Sequence, residues 1–277
     1  MGMETTTSAH RPSIESVASS LASTRLRYAN AWLPGRVIGG VALIVGPVLW
    51  LTALVLRWAG LRTTPLSSEQ RAWLGEQPFA APGQLMAYAH DPVLVIAGYA
   101  TFAAACFALI FAIISFARVV TERSYLLGQI GAVAVVASLV ARLYFSGIDM
   151  TAFRLVDVMG LAAATRFVMD SYVELSYGLA YVPVTAAFGA LVGGVLLAAG
   201  ALRAGVFGVV RSVLLLMWAW TFGGVLKESD LGAIEGGIGL CLVLVPIGVS
   251  LLTGRMPSLE TSATADQRVR SRLGWIW

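Results

Sequence analysis

The chain has 277 residues, of which 58% are hydrophobic and 12% charged, against about 25% charged in an ordinary soluble domain. With a mean hydropathy of +0.80, that balance excludes a water-soluble fold and points to a polytopic membrane protein. The net charge of +4 does not argue for a nucleic-acid partner, because the basic residues cluster beside apolar blocks, where they set membrane orientation instead.

Residues 1–36 are rich in Ser, Thr and Arg and lack an apolar core, so they read as a disordered cytoplasmic tail and not as a signal peptide. The opening MGMETT fits the pattern that exposes Gly2 for myristoylation, although so short a match recurs by chance. Six apolar blocks follow, at 37–56, 93–116, 125–146, 172–201, 206–226 and 236–253. In lipid each must satisfy its own backbone, which makes them helices. The expectation is an all-α, polytopic bundle of six transmembrane helices over 37–253, with a cytoplasmic C-terminal tail at 254–277.

Pro47, Pro183 and Pro246 fall inside these blocks and are expected to kink them. The two long connections, 57–92 and 147–171, lie on one side of the membrane. In the first, SSEQRAWLGE carries the start signal of a short interfacial helix, with Trp73 and Phe79 as anchors. Twelve basic residues fall on the side of the N-terminus and six on the other. With an even number of spans, this places both termini in the cytoplasm of a multi-pass protein of the cell membrane. Gly189 with Gly193, and Gly232 with Gly236, are spaced for close helix approach, within the bundle or against a second copy or membrane partner.

Charge inside such a chain is informative. The stretch ARLYFSGIDMTAFRLVD, residues 141–157, sets Arg142, Phe145 and Asp149 on one helical face, with Tyr144 beside them. The stretch ATRFVMDSYVELSYG, residues 164–178, begins a second stripe of Asp170, Glu174, Tyr177 and Tyr181 that descends from the outer interface. Trp218 and Phe222 share a face of the fifth span, with Trp220 turned away. Belt residues at span ends are the plain reading of such rings, but ionisable groups at membrane depth are rare and favour a cavity or pathway.

No phosphate-binding loop, zinc-protease helix, nucleophile elbow or aspartate-rich magnesium motif occurs. With two histidines, His10 and His90, and two cysteines, Cys106 and Cys241, neither a metal centre nor a disulfide framework is expected, and no cofactor. What remains is carboxylic acids among aromatic rings, open to lipid. A buried carboxyl can protonate an alkene or epoxide, and ring faces stabilise the resulting cation. This suits metal-independent, acid-initiated cyclisation of a prenylated or lipid-like substrate. Asp149, Asp170 or Glu174 would be the acid and Arg142 its orienting partner, with Tyr144, Phe145, Tyr177, Tyr181, Trp218 and Phe222 lining the substrate.

The span pattern and these two stretches resemble small six-span actinobacterial membrane proteins, most without an assigned function. In kind, though without an aligned motif, the chain also looks similar to membrane-integral terpene cyclases, a resemblance that implies acid catalysis on an isoprenoid in secondary metabolism. Two other readings fit the same residues. One is a small-molecule exporter or a resistance or immunity protein, in which the charged residues relay protons or bind a solute. The other is a non-catalytic subunit that anchors a partner.

Overall fold

A computed structural model describes residues 34–77, 80–177, 182–221 and 230–254, leaving aside the side chains of 172–177 and 182–184. The described residues form nine helices: α1 (Arg36–Thr63), α2 (Ser68–Glu76), α3 (Ala81–His90), α4 (Pro92–Thr121), α5 (Tyr125–Met159), α6 (Leu161–Tyr177), α7 (Val182–Ala204), α8 (Val209–Trp220) and α9 (Leu231–Thr253). Five of them, α1, α4, α5, α7 and α9, contain a stretch long and apolar enough to cross a membrane. α8 is apolar and shorter, and the end of the expected fifth span, beyond Thr221, lies outside the described residues.

The long helices and α8 close a ring in which α1 packs on α4, α4 on α5, α5 on α7, α7 on α8, α8 on α9 and α9 back on α1. The main core inside this ring holds Leu43, Trp50, Leu109, Ile113, Phe116, Leu139, Leu197, Leu215, Trp218, Leu240 and Leu244. Lipid is as apolar as these side chains, so the ring is held by close packing and not by escape from water. Close packing shows best between α5 and α7. A Cβ on Gly193 would sit 2.7 Å from the Gly131 carbonyl oxygen, and one on Gly189 would sit 2.7 Å from that of Ala134. Ser138 adds a hydrogen bond from its hydroxyl to the Ala186 carbonyl across the same seam. Gly236 approaches α8 at Trp218, whereas Gly232 meets only the nearby Asp230 side chain.

Arginines fasten one end of the ring. Arg36, at the start of α1, donates to the Leu252 carbonyl near the end of α9 at 2.9 Å. Arg118, near the end of α4, donates to the Pro34 carbonyl at 2.8 Å. Arg123, between α4 and α5, donates to the Ala204 carbonyl that ends α7 at 3.1 Å. A cation at a helix C-terminus satisfies carbonyls left over by the ladder and meets the negative end of the helix dipole.

The other end carries a helical cap. α2 opens with a capping box in which the Ser67 hydroxyl accepts from Gln70 N and the Gln70 side chain accepts from Ser67 N, and it buries no residue. This is the short helix expected from SSEQRAWLGE, with Trp73 exposed; Phe79 lies outside the described residues. α3, the start of α4, the far end of α5 and α6 share a second core of Leu85, Tyr88, Val95, Tyr99, Phe153 and Val168.

One boundary differs from the sequence expectation. The 147–171 connection is helical: α5 continues unbroken from the third span to Met159, because after Gly147 nothing interrupts the i, i+4 series Phe145, Asp149, Phe153, Asp157. It stops at Gly160, whose φ of +81° suits glycine. Over the expected fourth span, 172–201, the described residues are helical as far as Tyr177 and again from Val182, and residues 178–181 lie outside the description. Pro183 lies in α7, next to Val182. Pro47 and Pro246 do lie inside helices.

Candidate functional site

The site lies where the cap meets the ring, and α1, α4 and α5 build it. Arg57 comes one turn and a half before the end of α1. Its guanidinium carbon stands 4.3 Å from the ring centroid of Tyr99 and 5.1 Å from that of Phe102. Its Nη2 also donates to the Tyr99 hydroxyl at 3.2 Å. Tyr99 and Phe102 face α1 together because they are spaced by three on α4.

α5 supplies the acid. Asp149 and Arg142 are both half-buried and two turns apart on one face. The charges of Arg57 and Arg142 both act on the Asp149 carboxyl, and the same two act on the fully buried thiol of Cys106 on α4. Two guanidiniums from different helices thus lie near this carboxyl. One turn beyond Asp149, Phe153 joins this cluster to the cap. Its ring lies edge-on to Tyr99 at 4.9 Å and stacked on Tyr88 at 4.9 Å. Tyr88 in turn donates to Asp157 at 3.0 Å, and Arg154 donates to the same carboxylate oxygen at 2.7 Å. Below the cluster Phe102 packs against Trp50 at 4.6 Å, and Trp50 meets Trp218 edge-on at 6.0 Å.

Of the residues expected from sequence, the structure brings Arg142 and Asp149 together and adds Arg57. Phe145 is buried, but against Ala141, Ile148 and Ala186 on the α7 side. Tyr144 is exposed and touches Phe145 edge-on. Asp170 is exposed on α6. Glu174 and Tyr177 lie in α6 with side chains outside the description, and Tyr181 and Phe222 are outside the described residues. Trp218 is fully buried in the main core and Trp220 is 72% exposed, the opposite facings that helical spacing predicts.

Arg57, Tyr99, Phe102 and Trp50 were missed because each is ordinary by itself. Arg57 falls one residue past the expected end of the first span and so counts as a loop cation. The available signal was Tyr99, a phenol inside a largely apolar block.

The cluster can do three things chemically. A carboxyl can give or take a proton, guanidiniums can hold an anion or orient the carboxyl, and ring faces can bind a cation or an apolar chain. No three His, Cys, Asp or Glu residues converge as a metal-ligand group among the described residues. No protein-family model matches the chain, and no curated protein and no solved structure matches it.

Proposed function

We propose that this is a multi-pass membrane enzyme of six spans, with both termini in the cytoplasm, that acts on a prenylated or other lipid-like substrate by acid-initiated cyclisation. Six spans are supported by the place of α8 in the closed ring between α7 and α9. The cytoplasmic end is then the one fastened by Arg36, Arg118 and Arg123, in keeping with the basic bias of inner loops.

One observation supports the chemistry most directly: Asp149 is the acid that shares a field with Arg57 and Arg142 beside buried aromatic rings. In this reading the substrate's polar end meets the guanidiniums and its chain enters the ring of helices from lipid. The Asp149 carboxyl protonates an alkene carbon or epoxide oxygen. A carbon–carbon bond closes on the cation, and a later proton loss returns the balance, so the product is an isomer of the substrate.

Cells expressing the chain with candidate farnesylated substrates, followed by mass spectrometry of their lipid extracts, test this. A new isomer is expected from the native chain and from Asp170→Asn, and none from Asp149→Asn at equal membrane level. An unchanged product from Asp149→Asn would remove the acid assignment.

A second reading has one observation in its favour. The faces of Tyr99 and Phe102 are covered by the protein's own Arg57, so they serve a charge network at least as well as a carbocation. That arrangement suits an exporter or resistance protein that relays protons through Asp149. Efflux that collapses with the proton gradient, without any new product, would favour it.

A further inference from the structure

We infer that the end of the bundle fastened by arginines binds an anionic phospholipid, whose phosphate group is held by Arg123 and Arg203. Among the described residues this end carries Arg36, Arg118, Arg123, Arg203 and Arg211 with a single carboxylate, Glu122. At the other end carboxylates such as Asp157, Asp170 and Asp230 stand among Arg62, Arg71, Arg154 and Arg166. The excess of cations is therefore confined to one end.

Two of the five arginines come to one place, where the end of α4, the start of α5 and the end of α7 converge. A Cβ on Gly200 of α7 would sit 2.8 Å from Val120 Cγ1 and 3.1 Å from Leu127 Cβ. Arg123, in the turn between α4 and α5, donates to the Ala204 carbonyl at 3.1 Å, and Arg203 is the residue before Ala204. Both arginines are exposed. Arg123 uses one of its guanidinium donors on a carbonyl that carries no net charge, and Arg203 makes no side-chain hydrogen bond or ion pair among the described residues. Each keeps N–H donors for an anion, and a phosphate is the acceptor that a guanidinium fork matches.

Placement decides the kind of anion. Arg203 is the next-to-last residue of the apolar stretch Thr185–Ala204, and Arg123 comes two residues before the stretch that begins at Tyr125. Both thus stand at the depth of lipid headgroups. The neighbouring side chains Leu126 on α5 and Leu202 on α7 are apolar and exposed. A phospholipid would set its phosphate on the arginines and its acyl chains along these leucines, whereas a soluble anion would meet the arginines only.

Native mass spectrometry of the full chain, released from micelles holding equal amounts of phosphatidylglycerol and phosphatidylcholine, tests this. The native chain is expected to retain phosphatidylglycerol in preference. Arg203→Gln should lower that preference about fivefold, the factor that one basic residue contributes beside an anionic headgroup. Arg123→Lys keeps the charge and should lower it less than Arg123→Gln, while Glu122→Gln should raise it. Arg71→Gln combined with Arg166→Gln removes charge at the opposite end, several screening lengths away, and should leave the preference within about twofold. No preference in the native chain, an unchanged preference in Arg203→Gln, an equal fall in the Arg71 and Arg166 variant, or displacement of the lipid by an equal concentration of inorganic phosphate would each overturn the inference.

Discussion

Arg57 and Tyr99 meet twice, the guanidinium lying over the tyrosine ring at 4.3 Å and donating to the hydroxyl of that same ring at 3.2 Å. The two contacts can be separated. Tyr99→Phe keeps the ring and loses the hydroxyl, and is expected to cost about 1 kcal/mol. Tyr99→Ala loses ring, cation contact and buried volume together, at least about 3 kcal/mol. Thermal unfolding of the variants in one detergent checks the order. Equal losses would mean that the hydroxyl, and not the ring, holds Arg57.

Trp218 and Trp220 give a second contrast. Trp218 is fully buried against Trp50, whereas Trp220 is 72% exposed. Trp218→Ala opens a cavity in the main core and should cost about 3–5 kcal/mol, visible as lost folded protein on size-exclusion chromatography. Trp220→Ala should leave the folded yield within about 0.5 kcal/mol of the native chain, as an exposed substitution does.

Glycines differ in what surrounds them. Gly193→Ala would drive a Cβ to 2.7 Å from the Gly131 carbonyl oxygen, so α5 and α7 must part, and melting temperature should fall. Gly147, inside α5, has nothing within 4 Å of a Cβ. Gly147→Ala should therefore raise stability by about 0.5–1 kcal/mol, since alanine gives up less backbone freedom in a helix. Parallel melting curves of the two alanine variants check both signs.

Burial, and after it the neighbouring Asp157, push the Tyr88 hydroxyl above its ordinary pKa of 10.0. Folding therefore favours the protonated phenol. The contribution is complete below pH 10, declines once the unfolded chain begins to ionise there, and is gone above the raised folded value. The cap is expected to lose stability from pH 10 upward, and Tyr88→Phe should flatten that decline. Phenolate absorbance titrated alongside unfolding in both chains checks the direction. A decline equally steep in the variant would assign it to other groups.

The long apolar helices were legible in the sequence because lipid leaves a spanning segment few alternatives: continuous apolarity places α1, α4, α7 and α9 along the chain, though not all of their ends. Helical spacing also told buried Trp218 from exposed Trp220. The α5 extension was hidden because hydropathy falls after Ser146 while helicity does not. Polar residues end a span in a hydropathy reading, yet Asp149, Arg154 and Asp157 are all compatible with helix interiors. Half of the candidate site was legible for the same reason. Arg142 and Asp149 share a chain segment and a face, so spacing relates them. Arg57, Tyr99 and Phe102 reach them only through the packing of α1 on α4 and α4 on α5, a relation between distant segments that no local period contains.

At 1.5 Å per residue the 35 residues of α5 extend about 52 Å, far more than the hydrocarbon thickness of about 30 Å. Arg142, Asp149 and Phe153 ride on this one uninterrupted rod, which also carries the seam with α7. Tilting is how a long helix adjusts to a thinner bilayer, and a tilt of an unbroken helix reaches the end that carries Phe153. Between Arg142 and Phe153 the helix has no break at which such a tilt could be absorbed.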